Sequence, residues 1–392
     1  MKAIAYKTLI AAAVAGSLTT PALAGTSVAA GAEAKSPDAK PLVTIYGILD
    51  VGVEHVSGVG SDDKTVTRVP GITATLPSRL GFRLNKEVKP GLALTGVLEA
   101  GIQMDDGNHR QSGRLFGRQL YAGLQTNAGT FAIGRQYSML LGAMFGVDQL
   151  GPNIYSMGSL DSYLPNARYD NSVTWKHKFG NFKTGVAYSF GRDTSGGAPA
   201  HGTCAGEQAN ISDTNECRAW STMLRYDAGS FGVAGAIDKS KGGTGATAYF
   251  FNGNAPFAFT SSSDTDTRTT LGGYYKFGAT KVSLGILKRK VSTDAQSVES
   301  DINYVTASHK ISQTVKIDGG IYKITNDDQN ADATLAAVRG FYTLDKGLDL
   351  YGQVGRISNS DSASYQLSVG SGMAPAAGQS QTGVMFGMRY IF

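Results

Sequence analysis

The chain has 392 residues, of which 41% are hydrophobic and 17% are charged, and its formal net charge at pH 7 is +5. So small a charge, spread along the whole chain, argues against a nucleic-acid-binding protein. The 51 glycines and 11 prolines follow no collagen period, and beyond the N-terminal region no apolar stretch is long enough for a transmembrane helix.

The first residues have the features of a secretory signal peptide. A basic start with Lys2 and Lys7 precedes a short apolar centre, Leu9 to Ala15, and Ala22-Leu23-Ala24 supplies the small-residue cleavage site. The apolar centre is too short to anchor the chain in a bilayer. We therefore expect residues 1–24 to be removed after Ala24, which lowers the formal charge by two, to +3.

Residues 25–42 are polar and contain Ala and Pro, which predicts a flexible leader, and residues 43–392 are expected to form one structural domain. Its first strand is predicted from Val43 to Val56. Apolar side chains share one parity there and polar side chains the other, so a strand would have one apolar and one polar face. The apolar set is Val43, Ile45, Leu49, Val51 and Val53, and the polar set is Tyr46, Asp50 and Glu54.

The same alternation recurs in fifteen further segments, so that sixteen strands are predicted, an even number that is typical of bacterial barrels. In chain order they are Ser78–Val88, Leu92–Gln103, Leu115–Gln125, Thr130–Gln136, Ser172–Phe179, Phe182–Phe190, Arg218–Asp227, Phe231–Lys239, Thr269–Phe277, Lys281–Val291, Ser300–Lys310, Thr314–Ile324, Ala333–Leu344, Leu348–Ile357 and Thr382–Phe392. In the last of them one parity carries Val384, Phe386, Met388, Tyr390 and Phe392.

The connections between these strands alternate between short turns and long loops. The long loops are 57–77, 104–114, 137–171, 191–217, 240–268, 292–299, 325–332 and 358–381. Short turns on one side and long loops on the other are typical of outer-membrane barrels. We therefore expect the long loops to lie outside the cell and the short turns in the periplasm.

A sheet of this kind has to close when it lies in a membrane. In hydrocarbon each unpaired backbone group of an edge strand costs several kcal/mol, and closure removes the edges. Sixteen strands leave a lumen wide enough for water. The sequence thus predicts an all-β protein, a 16-stranded antiparallel transmembrane β-barrel around an aqueous channel.

Several blocks of the sequence resemble those of the Gram-negative general porins, above all the betaproteobacterial type. They are VTIYGILDVGVEHV, SRLGFRLNKEVKPGLALTGVLEAG, FGRQLYAGLQTNAGTFAIGRQYS, ARYDNSVTW and the terminal RYIF. The resemblance implies an outer-membrane homotrimer for passive diffusion of ions and small hydrophilic solutes, in contact with membrane lipid and lipopolysaccharide, without a cofactor. It also implies that the third long loop folds into the lumen and that the insertion machinery recognises Phe392.

The resemblance further implies a basic wall at the channel constriction. Arg79, Arg118 and Arg135 match this wall, and their parity is that of a lumen face. Arg83 shares the parity of Arg79, and Arg168 falls where the family tends to place another basic group, although Asp170 occupies a nearby equivalent position.

Acidic groups are expected opposite that wall, on the inward loop Tyr137–Asp170. Asp148 is the first candidate and Asp161 the second, although the family's Pro-Glu-Phe-Gly motif is absent from the loop. Glu99 points inward by parity and would brace the arginines. An excess of arginines over acids at the constriction favours a weak preference for anions, which the inward-facing Asp50 and Glu54 would oppose.

Cys204 and Cys217 flank a polar stretch and are expected to form one disulfide in an exported protein. No metal site is expected, and the five scattered histidines and the lack of a catalytic motif argue against an enzyme. Three alternatives remain open: a substrate-specific channel, which would show a line of lumen aromatics, a barrel hydrolase and an adhesin.

Overall fold

The computed structural model describes residues 42–191, 212–360, 362–370 and 372–392. The predicted signal peptide and all of the predicted leader except Leu42 lie outside these residues, and so does Cys204.

Sixteen long strands form one antiparallel sheet that closes on itself. They are β1 (Val43–Val59), β2 (Arg79–Lys89), β3 (Leu92–Gly101), β4 (Gln119–Thr126), β5 (Gly129–Tyr137), β6 (Arg168–Phe179), β7 (Phe182–Ser189), β8 (Ala219–Asp227), β9 (Phe231–Lys241), β10 (Thr265–Phe277), β11 (Thr280–Ser292), β12 (Ser297–Lys310), β13 (Val315–Thr325), β14 (Ala333–Asp345), β15 (Leu348–Asn359) and β16 (Gln381–Ile391). Each strand pairs with the next, and β1 also pairs with β16, from Ile48 opposite Ile391 to Val56 opposite Gly383. The predicted 16-stranded antiparallel barrel is confirmed.

The loops contain short strands, helices and 3₁₀ turns. The segment Lys64–Arg68 pairs with the end of β1, and Thr247–Ala248 pairs with Phe257–Ala258. The third long loop contains helix α1 (Met139–Met144), helix α2 (Met157–Leu160) and the 3₁₀ turn Leu164–Asn166, and a second 3₁₀ turn spans Asp327–Gln329. Within the described ranges, no helix has the length and apolar character needed to cross a bilayer.

The two faces of the sheet differ as the alternation predicts. On the outside, Ile45, Leu284 and Phe386 are 61%, 63% and 69% exposed, which an apolar surrounding would cover. On the inside, polar and charged side chains such as Asp50, Glu54 and Arg268 are buried within the barrel. One parity of each strand is therefore an apolar belt and the other a polar lumen.

Strand ends differ from the sequence expectation where the alternation breaks. Strand β6 begins at Arg168 and not at Ser172, because pairing with β5 continues past a register shift between Gly134 and Gln136. Asn171 takes a positive φ of 46° at this irregularity. A bulge of this kind reverses the parity that sequence reading relies on.

Candidate functional site

The third long loop folds into the barrel and follows its inner wall. Its helix α1 packs against β8 and β9, and the backbone N–H of Met139 donates to Ser221 Oγ of β8 at 2.9 Å. Farther along, the N–H of Gln149 donates to Thr306 Oγ1 of β12 at 3.1 Å. Ser159 Oγ then donates to the carbonyl of Leu367, in the last long loop, at 2.7 Å.

Apolar residues explain why this loop packs against the inner wall of the barrel. Nine Leu, Met, Ile and Val side chains of the loop are at most 3% exposed and form one core with aromatic residues of the lumen wall. They are Leu140, Leu141, Met144, Val147, Leu150, Ile154, Met157, Leu160 and Leu164. Burial of a side chain of this size is worth roughly 1.5–3 kcal/mol, so the loop gains stability by lining the wall. Irregular backbone is tolerated at membrane depth where it borders an aqueous cavity.

Two arginines of the wall fasten the loop. Arg268 Nε of β10 lies 2.6 Å from Asp161 Oδ2, and the pair is buried. Arg339 of β14 donates to the carbonyl oxygens of Gln149 and Leu150, both at 3.3 Å, and to that of Ala74 in the first loop at 2.7 Å. The inward loop is thus tied to the wall by charged donors as well as by packing.

A cavity of about 200 Å³ remains between the loop and the opposite wall. Five arginines line it, and Asp148 is the one acidic residue among its lining groups in the described part of the chain. The five are Arg79, Arg118, Arg168, Arg339 and Arg389. The cavity thus lies where the inward loop meets arginines of the wall.

Arg118 is held by a network on the wall. Its Nε donates to Glu99 Oε1 at 2.7 Å, and its terminal nitrogen donates to the hydroxyl of Tyr137. The hydroxyl of Tyr46 donates to the other oxygen of Glu99 at 2.8 Å. Glu99 therefore contacts one arginine directly and lies between two tyrosines.

Arg168 and Arg79 lack a carboxylate partner at ion-pair distance among the described residues. Arg168 lies over the ring of Tyr137 at 4.6 Å and donates to Pro165 O and Asn166 Oδ1, each at 3.3 Å. Arg79 Nε donates to the carbonyl of Pro77 at 2.9 Å. Neither guanidinium group is therefore held in an ion pair by a carboxylate of the described residues, although Glu99 is near enough to interact electrostatically with Arg79.

The other two predicted basic residues lie away from the cavity. Arg83 stacks on the ring of Tyr46 at 3.9 Å. Arg135 pairs with Asp170 and donates to the carbonyl of Gly117 at 2.7 Å. On β5 the exposed side chains of Phe131 and Ile133 share the parity of Arg135, so the alternation within this strand does not favour a lumen position for it.

Sequence reading did not select Arg339 and Arg389. Arg339 pairs with Asp318 at 3.1 Å and Arg389 with Asp349 at 2.6 Å. Arg389 was recognisable as a lumen residue, because it alternates with the apolar outward face of the last strand. Nothing in the sequence, however, indicates that β14 and β16 face the same cavity as β2 and β4.

The two predicted acidic groups lie in different surroundings. Asp148 Oδ1 accepts from the hydroxyl of Tyr322 at 2.6 Å and from the N–H of Leu150 at 3.0 Å. Burial raises the pKa of the Asp148 carboxyl, so its negative charge is less favourable than that of a solvated acid. Asp161 contacts Arg268 and not the arginines of the cavity, in contrast to the expected eyelet position.

Two remaining predicted residues are not among the groups that line the cavity. Cys217 is buried and disulfide-bonded, whereas Cys204 lies outside the described residues. Phe392 is 47% exposed, stacks on Tyr390 at 5.8 Å, and exchanges backbone hydrogen bonds of 3.0 and 3.2 Å with Gly47. The end of the chain is therefore part of the seam between the first and last strands.

Comparison with known proteins gives consistent matches. A family model described as Gram-negative porin matches residues 11–362. An outer membrane porin protein of Bordetella pertussis is 31% identical over 248 residues, which is 59% of this chain and 59% of that protein. Outer membrane porin protein 32 of Delftia acidovorans is 27% identical over 373 residues, 90% of this chain and 95% of that one.

Solved structures show the same fold. An anion-selective porin from Comamonas acidovorans superposes with a TM-score of 0.73 at 22% identity, covering 89% of this chain and 99% of that one. OmpT of Vibrio cholerae, in a trimer form, gives a TM-score of 0.60 at 16% identity with the same coverage.

Proposed function

The chain belongs to the Gram-negative porin family and is an outer-membrane diffusion channel rather than an enzyme, and we propose that its constriction makes the channel prefer anions. The observation that carries this proposal is the lining of the cavity, five arginines and one buried acid. Arginine stays charged at every working pH, and rings of basic side chains select anions in narrow pores.

The balance of charge at the constriction supports a net positive potential. Arg118, Arg339 and Arg389 each have a carboxylate partner, which reduces their contribution. Arg79 and Arg168 donate to neutral groups and form no ion pair among the described residues, so they contribute more to the potential. The carboxylate of Asp148 accepts a hydrogen bond from Tyr322. The similarity to a porin described as anion-selective agrees with this sign.

Reversal potential under a salt gradient tests the preference. With the protein reconstituted in a planar bilayer between two KCl concentrations, the sign of the zero-current potential should be that of chloride permeating better than potassium. A wild-type channel that prefers potassium would contradict the proposal. Linear flux with solute concentration is expected as well, because the lumen aromatics Tyr304, Tyr322 and Tyr351 are buried and offer no exposed path for a sugar.

We also propose that the constriction is formed by the wall Arg79, Arg118 and Arg168 facing the inward loop near Asp148, with Arg83, Arg135 and Asp161 supporting it from behind. Each member of the first set borders the cavity, and each member of the second contacts a group outside it. Neutralising Asp148 should strengthen anion preference, while neutralising Arg118 should weaken it. Reversal potentials that do not move in either variant would exclude this assignment.

A homotrimer in contact with membrane lipid and lipopolysaccharide is the proposed assembly. A trimer form of OmpT, which has the same fold, supports the oligomeric state. The apolar outward belt supports contact with lipid, and the long loops are proposed to face the outside of the cell, where lipopolysaccharide lies. Native mass spectrometry in mild detergent tests the trimer, since a monomer at every protein concentration would contradict it.

A further inference from the structure

The inward loop presents one large apolar side chain to the lumen. Phe145 is 49% exposed, whereas the nine apolar side chains that form the core of the same loop are at most 3% exposed. Its ring borders the cavity of about 200 Å³ between the loop and the arginines. Packing of the loop does not account for this position, because a ring that is left in water forgoes the stabilisation that burial gives.

The backbone at Phe145 is fixed by a turn and by two cations of the wall. The range Met144–Val147 has the geometry of a type II turn, with φ −59° and ψ 123° at Phe145 and φ 74° at Gly146. The N–H of its last residue donates to the carbonyl of its first residue at 3.1 Å. Arg225 of β8 donates to the carbonyl of Phe145, and Lys281 of β11 donates to that of Gly146. The ring is therefore exposed at a defined place in the lumen.

Other apolar groups border the cavity together with this ring. Leu76 and Pro77 of the first long loop and Pro165 of the inward loop are partly exposed there. Leu141 also borders the cavity but is buried. The cavity thus has an apolar part, built from two loops, in addition to its arginines.

Arg79 is the cation of this cavity that is best able to bind a ligand. It is partly exposed, its Nε donates to the carbonyl of Pro77, and its two terminal nitrogens have no acceptor among the described residues. In contrast, Arg118 and Arg168 are at most 3% exposed, and each donates from a terminal nitrogen to the hydroxyl of Tyr137. Arg79 therefore offers the planar pair of N–H groups that matches a carboxylate.

We propose that the cavity binds one aromatic monocarboxylate at a time, with the carboxylate on Arg79 and the ring against Phe145 and Leu76. The inference deepens the proposed anion preference and rests on it. An inorganic anion would not use the apolar part, and a dicarboxylate would place its second charge against that part. A volume of about 200 Å³ suits a molecule with a single ring, since sites for drug-sized ligands occupy ~300–1,000 Å³. A neutral sugar matches neither part, so its linear flux is not affected.

Block of the KCl current tests the site with three probes. The full chain is reconstituted in a planar bilayer at neutral pH, and benzoate, acetate and benzamide are titrated separately. Acetate has the charge without the ring, and benzamide has the ring and the shape of benzoate without the charge. We expect benzoate to lower the conductance saturably, with a half-blocking concentration roughly three- to tenfold below that of acetate. Benzamide should not block the current at these concentrations.

Single substitutions assign the block to the two parts of the cavity. Phe145→Ala should abolish the preference for benzoate over acetate. Phe131→Ala is the matched control and should keep it, because Phe131 is also 49% exposed but faces outward from β5. Arg79→Gln should weaken the block by benzoate and by acetate alike, by about tenfold or more, since both lose the same charged hydrogen bonds.

Two further variants separate apolar contact from the width of the channel. Phe145→Leu keeps an apolar side chain and should retain most of the preference for benzoate. Phe145→Gln has a side chain of comparable length that is polar, and it should lose the preference. Heat-modifiable mobility verifies that each variant is folded before its conductance is compared.

Other results would overturn the inference. Equal block by benzoate and acetate in the wild type, or an unchanged preference in Phe145→Ala, would exclude the site. Equal preference in Phe145→Leu and Phe145→Gln would mean that width and not apolar contact governs the block, and block by benzamide would exclude a role for the carboxylate.

The reversal potential under a KCl gradient is measured on the same channels, so that the two proposals can fail separately. A chloride-preferring channel without benzoate block would refute the site alone. A potassium-preferring channel would refute the proposed selectivity, and a block that depends on Phe145 would still support the site.

Discussion

The arginines near the constriction differ in the groups that bind them. This difference decides what each can contribute to ion selectivity. Arg79 borders the cavity and donates to a backbone carbonyl, whereas Arg135 forms an ion pair with Asp170. Arg118 should have an intermediate effect on the potential in the cavity, because it borders the cavity but pairs with Glu99. A charge that is paired and distant from the permeating ion has little effect on the potential that the ion meets.

Arg79→Gln should therefore shift the reversal potential toward cation permeation more than Arg135→Gln does. The two variants remove the same charge from the same wall, so Arg135→Gln is the matched control for overall charge. The measurement is the zero-current potential under a KCl gradient. Equal shifts would mean that the total charge of the lumen, and not the cavity, sets selectivity.

Glycines of the lumen wall allow aromatic rings to lie flat on it. A Cβ atom at Gly81 would overlap the ring of Tyr46, which lies opposite Gly81 in the register of β1 and β2. The hydroxyl of Tyr46 donates to Glu99, and the guanidinium of Arg83 stacks on its ring. One small residue thus fixes the position of a tyrosine that supports the basic wall.

Gly81→Ala should displace Tyr46 and lower stability by about 1–3 kcal/mol, the usual cost of overpacking. Gly340→Ala is the control, since a Cβ there has no atom within 4 Å, and it should change stability by less than about 0.5 kcal/mol. Urea unfolding in lipid vesicles measures both. Equal stability of the two variants would contradict the close packing inferred at Gly81.

At the scale of elements, the inward loop behaves as part of the wall and not as a free segment. Its two helices and one 3₁₀ turn bury apolar side chains, and Asp161 joins a buried cluster in which Arg268 also contacts Asp266 at 3.0 Å. Arg289 adds a second cation to Asp266 at 2.9 Å. Removing one member of such a cluster leaves a buried charge without full compensation.

Asp161→Asn should loosen the inward loop and increase the current noise of the open channel, with a smaller shift of reversal potential than in Arg79→Gln. The reason is that Asp161 anchors the loop to β10 and does not border the cavity. Glu299→Gln is the control, because it removes a surface ion pair worth at most about 1 kcal/mol. Noise equal to that of the control would show that packing alone holds the loop.

The last strand closes the barrel, and its outward face carries Val384, Phe386, Met388 and Tyr390 before the terminal Phe392. Deletion of Phe392 should lower the yield of folded protein in the outer membrane, since it removes two backbone hydrogen bonds of the seam and the proposed assembly signal. Phe386→Ala on the same face is the control and should insert normally. Heat-modifiable mobility of outer-membrane fractions gives the yield, and unchanged insertion of the truncated chain would argue against the signal.

For the whole molecule, the alternation of loops and turns defines two unlike ends. The long loop between β9 and β10 spans 242–264 and exposes Gly253 to Pro256, whereas β14 and β15 are joined by a tight turn at Lys346 and Gly347. The inward loop belongs to the long-loop half. Orientation in the membrane therefore decides on which side solutes first meet the constriction.

A specific protease site inserted after Asn254 should be cut on intact cells, and the same site inserted after Lys346 should be cut only after the outer membrane is opened. Exposed loop tips accept insertions and are preferred cleavage points. Immunoblots of the fragments give the result. Cleavage after Lys346 on intact cells would reverse the proposed topology.

The sequence by itself determined the sixteen strands and their two faces. These features are local, because a period of two residues sets which side chains share a face and the turns between neighbouring strands set their pairing. The predicted strand ends differ from the structure where the period is interrupted, as at the register shift that lets β6 begin at Arg168 and not at Ser172.

Only the tertiary structure decided which distant residues meet across the lumen. Asp161 is 107 positions from Arg268, and Arg339 bonds to a carbonyl 265 positions away, at Ala74. Closure of the sheet brings β14 and β16 round to face the inward loop, so that Arg339 and Arg389 border the same cavity as Arg79. No local pattern contains this information, since it depends on the path of an irregular loop that packs against several strands of the wall at once.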